Sequence, residues 1–319
     1  MTNKNKGKRA PTGAVADRRQ AQSGGAARPA KRRGLLDAIF TPRVAGTSSM
    51  PRIRTSLARG VVTVTATPIL LVGTAAIVAV QWLVALALGY QGPFALFVTA
   101  LALPPVGTSF DATLSTSLFG LRGGFFAIVG FVVVRAVIQA LLVAAIVEVL
   151  RGSLLGRWTL ERAIRALPVA LGVNVAGVGL LTLGSLIGPL LGPTFVLMIQ
   201  LATLIGGVYL LSFALVIAAD EGRRMSDALG RSLRAARLPG SGNLSLAAIY
   251  VVGSVALLVA PGKPGSELGV NPSVTAWVVV LVANLSHVIV QAAVAYRYLS
   301  VAAEVPEGPP QRRRERAGR

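Results

Sequence analysis

The chain has 319 residues, of which 53% are apolar and only 14% carry a charge. Thirty-two Lys and Arg stand against twelve Asp and Glu, there is no cysteine, and His287 is the single histidine. These counts exclude disulfides, cysteine nucleophiles, cysteine-ligated metals and paired-histidine metal motifs, and they favour an integral membrane protein over a soluble one.

The first 59 residues are hydrophilic, with fourteen Lys or Arg and two acids. Such a segment buries too little apolar surface to offset the entropy of ordering, so residues 1–58 are predicted to be a disordered basic tail. Within it, 34–40 places four apolar side chains beside basic ones and predicts a patch on the bilayer surface. No aromatic residue interleaves the basic residues before Phe40, so an anionic lipid leaflet is the expected partner, and nucleic acid is not.

Six apolar runs follow, each long enough to cross the hydrocarbon core as a helix. They cover about 61–90, 124–150, 167–188, 194–219, 244–260 and 274–301, with Pro68 in the first turns of the first run and a tight turn at 188–193. The segment 93–104 is apolar but too short to span, and the two prolines that end it predict an interfacial or re-entrant piece. The expected fold is an all-α membrane domain of six transmembrane helices at 59–301, followed by a basic tail at 302–319.

Charge in the connections predicts the orientation. Residues 151–166 and 220–243 carry nine arginines, whereas 91–123, 189–193 and 261–273 together carry only Arg122 and Lys263. Positive residues stay on the cytoplasmic side, so both termini are predicted to be cytoplasmic, in a bacterial plasma (inner) membrane.

Two of the basic connections, 158–167 and 225–238, have the pattern of short amphipathic helices. In the second, the expected apolar face is Met225, Leu229, Leu233 and Ala236, with arginines elsewhere around the helix. Spans two–three and four–five are then a candidate parallel repeat. The alternative is that any short basic loop beside a membrane has this composition.

The stretch 218–237, AADEGRRMSDALGRSLRAAR, has an acidic pair at the end of a span, then Ala-Leu-x-x-Ser and a basic cluster. The acids are Asp220 and Glu221, the small motif is Ala228, Leu229 and Ser232, and the basic cluster is Arg231, Arg234 and Arg237. This pattern resembles a broad bacterial and archaeal family of six-helix proteins akin to the membrane domain of glycerophosphoryl diester phosphodiesterases. The resemblance, over about 60–300, implies the architecture and no activity, because the catalytic domain is absent from this chain and most stand-alone relatives have no assigned activity.

Five polar residues inside the predicted spans form the candidate functional site: Arg135, Gln139, Asn284, His287 and Gln291. An arginine near the middle of a span costs about 2.5–3.5 kcal/mol to insert, so it is expected to face the bundle interior and a partner. Gln139 lies one turn further on, and the other three share one side of the sixth span. They are expected either to line a path for an anionic substrate or to join helices by hydrogen bonds.

Partners for these groups are also predicted. Asp111, or a carbonyl freed near a Gly-Pro turn, is expected beside Arg135, while Asn174 and Gln200 are expected to meet the polar stripe. Glu148 and Arg151 are expected to form an ion pair of little consequence at the rim. The glycines at 184, 188 and 192 are assigned to helix packing and turn geometry.

No catalytic arrangement is visible in the sequence. Paired carboxylates do not share a span, no phosphate-binding glycine loop follows a strand, and no Ser/His/Asp set is visible, so neither an enzyme activity nor a cofactor is expected. The leading hypothesis is a non-enzymatic scaffold, assembly or regulatory component that meets a protein partner at its cytoplasmic face. The alternative is a transporter or lipid-handling protein that uses Arg135 and the polar stripe. The sequence predicts no oligomeric state.

Overall fold

Long apolar runs produce most of the helices that the structure describes. The computed structural model describes residues 50–87, 101–104, 106–107, 124–153, 155–238, 241–259 and 272–307, and in these ranges all regular secondary structure is helical. The helices there are α1 Ile53–Thr65, α2 Pro68–Ala87, α3 Gly124–Leu150, α4 Arg157–Leu191, α5 Pro193–Leu211, α6 Ala214–Glu221, α7 Met225–Ala236, α8 Asn243–Val259 and α9 Pro272–Val301.

Three described segments are long and apolar enough to cross a membrane. They are Val132–Leu150 in α3, Leu197–Glu221 across α5 and α6, and Val280–Val301 in α9. The bent pair of α1 with the first part of α2 adds a fourth if it is counted as one span, and Asn243–Ala256 in α8 is apolar but shorter. These segments indicate a membrane protein. The count of six spans stays a prediction.

The run expected to form the first span, 61–90, is divided near its start. α1 ends at Thr65, α2 begins at Pro68, and the two helices are bent by 82°. Pro68 has no N–H to donate and disfavours the helical conformation at Thr67, so the proline starts a new helix instead of continuing the first.

The region 157–191 also differs from the expectation. The predicted amphipathic piece at 158–167 and the predicted span after it form one 35-residue helix, α4. The predicted turn at 188–193 is reduced to Gly192, whose φ of 83° is a left-handed value that favours glycine. Pro193 then occupies the first turn of α5, where its missing N–H costs nothing.

Helix α7 is amphipathic as predicted, and its buried face matches the predicted one in part, at Ala236 and at Leu229, which packs against the core. Gly222, with a φ of 66°, ends α6 and turns the chain into α7. The residues buried on α7 are small ones together with an arginine: Ala228, Arg231, Ser232, Ala235 and Ala236. Met225 remains 41% exposed. Arg231 is buried because acceptors on neighbouring segments surround its guanidinium.

Helix α1 packs along α9, and α3 packs along α4. At Gly60 the two helices α1 and α9 approach so closely that a Cβ would overlap the carbonyl oxygen of Ile289. On the outside, large apolar side chains are exposed, among them Val72, Leu197 and Ile249 at 62–67%. Such an apolar exterior fits a chain surrounded by lipid.

The predicted tails are described only where they adjoin the bundle. Residues 50–58, which the sequence places in the first tail, contain the start of α1, and 302–307 pack on the bundle beyond α9. Residues 1–49 and 308–319, the surface patch 34–40, the first part of the segment 93–104, Asp111, Arg122 and Lys263 lie outside the described residues.

Candidate functional site

Residues 101–104 form a short non-helical segment in the interior of the bundle. Leu101, Ala102 and Leu103 are at most 2% exposed. The backbone N–H of Leu101 donates to Asn284 Oδ1 at 3.4 Å, and that of Leu103 donates to Tyr250 Oη at 2.8 Å. Non-helical backbone inside a membrane protein needs such partners, because no water is available to replace them.

Two of the predicted site residues bind the same carbonyl of this segment. Arg135 Nη2 and Gln139 Nε2 donate to Ala102 O at 3.1 and 2.8 Å. Gln139 Oε1 in turn accepts a hydrogen bond from Asn174 Nδ2 at 2.7 Å. The structure therefore brings Arg135 and Gln139 together on a freed backbone carbonyl, as expected, whereas Asn174 meets Gln139 and not the polar stripe of the sixth span, where the sequence placed it.

The polar stripe of α9 meets the other side of the same segment. Besides accepting from Leu101, Asn284 donates to Val280 O on its own helix at 2.9 Å. His287 Nδ1 lies 3.0 Å from Tyr250 Oη, and the two rings are edge to face. Because Tyr250 Oη accepts the Leu103 N–H, its own proton is available for Nδ1 of a neutral His287.

Gln291 does not join this arrangement. It is 2% exposed, and its Oε1 accepts no hydrogen bond from the described residues. Gln200, another predicted partner, lies half-buried on α5. We define the central cluster as Arg135, Gln139, Asn174, Tyr250, Asn284 and His287 around residues 101–104.

Space for the arginine depends on Gly107. A Cβ at this position would overlap the guanidinium of Arg135. Beside the cluster, a small cavity is lined by mostly apolar residues, including Leu103, with Tyr250, Ser212 and Asn243 as polar exceptions. It has room for about one water molecule. Within the described residues, four members of the central cluster thus bind the backbone of residues 101–104: Arg135, Gln139, Tyr250 and Asn284.

A second polar site lies at one end of the bundle. Asp220, at the end of α6, accepts hydrogen bonds from Arg151 Nε and Nη2, both at 2.6 Å, and from Arg162 at 3.2 Å. Arg162 also binds Glu148 at 2.7 Å. The predicted rim pair of Glu148 with Arg151 is therefore replaced by two pairs with other partners, in which both carboxylates are 97% buried.

Glu221 continues this site on the other side. Its carboxylate accepts from Arg223, from Arg231 at 3.1 Å and from the Tyr298 hydroxyl. Arg231 Nε also donates to Tyr298 Oη at 2.8 Å. We call the whole set the ionic network, with these members: Glu148, Arg151, Arg162, Asp220, Glu221, Arg223, Arg231, Tyr298 and Glu307.

The ionic network shifts the acid–base behaviour of its members. The hydrogen bond to Asp220 raises the pKa of Arg151 above its usual value, against a smaller lowering by burial. Hydrogen bonds to Glu307 and Glu221 likewise raise the pKa of Arg223. Hydrogen bonding to Arg223 lowers the pKa of Glu307. These arginines are therefore permanent positive charges.

One buried arginine was missed by the sequence analysis. Arg297, fully buried near the end of α9, donates to Pro51 O at 2.5 Å, to Asn243 Oδ1 at 2.9 Å and to Ser241 O. It joins the start of α1 and the start of α8 to α9. The available signal was an arginine inside the predicted sixth span, which invites the assumption that a long side chain near a helix end reaches water.

Comparison with known protein families, with curated proteins and with solved structures finds no match to this chain. Among the described residues, no group of three or more His, Asp or Glu side chains is arranged to hold a metal ion. The likeness to the six-helix family therefore stays a prediction, and the two polar sites carry the functional argument.

Proposed function

We propose that this chain is a non-enzymatic membrane component that assembles or regulates a protein partner through its cytoplasmic face. The observation that carries the proposal is the ionic network, which fixes α6, α7 and the segment after α9 into one platform. The central cluster supports it indirectly, because Arg135, Gln139, Tyr250 and Asn284 bind the backbone of residues 101–104 and the cavity beside them is small.

The proposal includes an inner-membrane location with both termini cytoplasmic. Arg297 binds Pro51, which precedes α1, and Arg231 binds Ala302, which follows α9. Because the start of α1, the end of α9, α6 and α7 lie in this region, a cytoplasmic side for the arginine-rich connections supports cytoplasmic termini as well. The basic tails then face anionic lipid, which attracts each Lys or Arg by about 1 kcal/mol.

We also propose membership of the six-helix family akin to the phosphodiesterase membrane domain. In support, Asp220 and Glu221 bind arginines of the ionic network, and Arg231 of the motif is one of them. Ser232 of the motif donates to Leu210 O at 2.7 Å, and Ala228 is fully buried. The short pattern thus consists of residues that have definite contacts.

Removal of residues 2–44 tests the scaffold proposal. The truncation lies wholly before the described residues, which begin at Met50, and it keeps Pro51 and Ser56, which hold Arg297. We expect cross-linking in native membranes to recover a protein partner with the full chain and to lose it with the truncated one. The control replaces 2–44 by an equally long Gly/Ser sequence. A partner set unchanged by the truncation contradicts the proposal.

A transporter or lipid-handling protein is the second candidate. The specific observation in its favour is the buried non-helical backbone at residues 101–104, with Arg135 and Gln139 on the carbonyl of Ala102, since non-helical backbone inside the bundle forms substrate sites in transporters. Arg135→Ala is expected to abolish a flux or a retained anionic lipid at unchanged melting temperature. A lowered melting temperature with unchanged flux assigns the arginine to structure.

A further inference from the structure

The segment after α9 is held against α7 by arginines. Arg231 donates from Nη2 to Ala302 O at 2.6 Å and from Nη1 to Val305 O at 3.3 Å. Arg234 Nε donates to Pro306 O at 2.8 Å. Because these bonds reach backbone oxygens, they fix the path of residues 302–307 without depending on the side chains of that segment.

Glu307 is held differently, through its own carboxylate. Arg223 donates to it from Nη1 at 3.1 Å and from Nη2 at 2.8 Å, and Arg231 Nη1 adds a bond at 2.9 Å. Two guanidinium groups that converge on one oxyanion form the arrangement used for carboxylates and phosphates. The carboxylate side chain is nevertheless 68% exposed, so another anion can exchange with it from solvent.

The surroundings of Glu307 favour anions. Arg224, next to Arg223 in the chain, is exposed. Apolar side chains are exposed at the same end of the bundle, for example Trp158 at 69% and Leu244 at 56%. Exposed tryptophan and leucine beside arginines are typical of the level where lipid headgroups lie.

We infer that Arg223 and Arg231 form a binding site for a phosphate group, which Glu307 occupies as an internal ligand. The phosphate is that of an anionic lipid headgroup or a free phosphate ion, since both present the same oxygens to the two guanidinium groups. Binding of the phosphate displaces Glu307 and loosens the end of the 302–307 segment. This inference requires no protein partner, so it and the proposed scaffold role are able to fail separately.

The test measures anion binding by the full-length protein in neutral detergent. Native mass spectrometry follows binding of dioctanoyl phosphatidylglycerol, with dioctanoyl phosphatidylcholine as the uncharged comparison and inorganic phosphate as the soluble competitor. Glu307→Gln removes the internal ligand and is expected to raise the affinity for phosphatidylglycerol by about three- to tenfold. Glu304→Gln, which removes the same charge from the same segment, is the matched control and is expected to leave the affinity unchanged.

The remaining arms identify the site and the source of the phosphate. Adding Arg223→Gln to Glu307→Gln is expected to remove the gain in affinity for phosphatidylglycerol. Adding Arg157→Gln instead, at a side chain that is 90% exposed, is expected to leave that gain in place. If inorganic phosphate competes at equal concentration, the ligand is a free phosphate; if it does not, the ligand is the lipid headgroup. Equal affinities of Glu307→Gln and Glu304→Gln, or no anion binding by any variant, overturn the inference.

Discussion

Replacing Gly60 by alanine tests the close contact between α1 and α9. A Cβ at Gly60 would overlap the carbonyl oxygen of Ile289 and lie 3.1 Å from the backbone nitrogen of Ala293. Both obstacles are backbone atoms of a long helix, so neither is able to move aside as a side-chain tip does. Forcing an extra methyl group into such a contact costs about 1–3 kcal/mol.

The helix propensity of alanine acts in the opposite direction. Alanine is favoured over glycine inside a helix by up to about 1 kcal/mol, which offsets part of the steric cost. Gly73→Ala in α2 isolates this contribution, because a Cβ at Gly73 meets nothing within 4 Å. The propensity gain is common to both variants, so the difference between them equals the steric cost of about 1–3 kcal/mol.

Unfolding in mixed micelles, followed by circular dichroism against the fraction of denaturing detergent, measures both free energies. We expect Gly60→Ala to unfold earlier than the wild type and Gly73→Ala to unfold at the same point or later. If Gly60→Ala is as stable as Gly73→Ala, α1 does not approach α9 at this glycine, and the argument that α1 is anchored to the bundle fails.

Three further outcomes follow from the polar contacts. Gly107→Ala is expected to displace the Arg135 guanidinium and to lower the unfolding free energy by about 1–3 kcal/mol. In an Arg135→Ala background the same substitution is expected to lower it by much less, and an equal loss in both backgrounds would exclude the steric mechanism. Arg297→Met leaves several buried acceptors without donors and is expected to lower the unfolding free energy by about 3 kcal/mol or more, whereas a loss under 0.5 kcal/mol would refute the buried role. Hydrogen bonding to Arg223 lowers the pKa of Glu307 below 4.5, so Glu307 is expected to keep its contacts at pH 4.5 and to release them as the pH falls through its lowered pKa. Hydrogen exchange of residues 302–307 measures this release, and Glu307→Gln is expected to remove its pH dependence.

Helices were predicted most accurately where local sequence alone determines them. The second predicted span, 124–150, coincides with α3, because in lipid an apolar run without proline has its lowest free energy as a helix, which satisfies every backbone hydrogen bond internally. At 61–90 the same reasoning predicted one continuous helix where the structure has two, because Pro68 interrupts a run whose hydropathy is uniform.

For the candidate site, the sequence identified most of the residues involved but not the contacts that they make. Arg135 and Gln139 share a helix face, so their meeting at one acceptor follows from helical spacing. The acceptor, Ala102 O, is a backbone atom of a residue with no distinctive chemistry, and no pattern marks it. The exchange of partners by Glu148 and Arg151 is likewise tertiary, because it depends on where α4 begins and where α6 ends.

The three arginines that are buried in the described part of the chain share one kind of partner. Each donates to carbonyl oxygens outside the helices, and these acceptors are Ala102 for Arg135, Ala302 and Val305 for Arg231, and Pro51 and Ser241 for Arg297. A buried carbonyl that lacks an intrahelical donor is costly, and arginine offers five N–H groups that are never lost by deprotonation.

This common partner bears on the choice between the two proposed functions. If Arg135 alone bound backbone, its depth in the bundle would favour a substrate site by default. Arg231 and Arg297 make the same kind of contact at the end of the bundle, where they join chain segments to helices. The economical explanation is that these arginines bind carbonyls of non-helical backbone that lies beside the helices. A structural role for Arg135 weakens the transport alternative and leaves the ionic network as the better-supported basis for the proposed function.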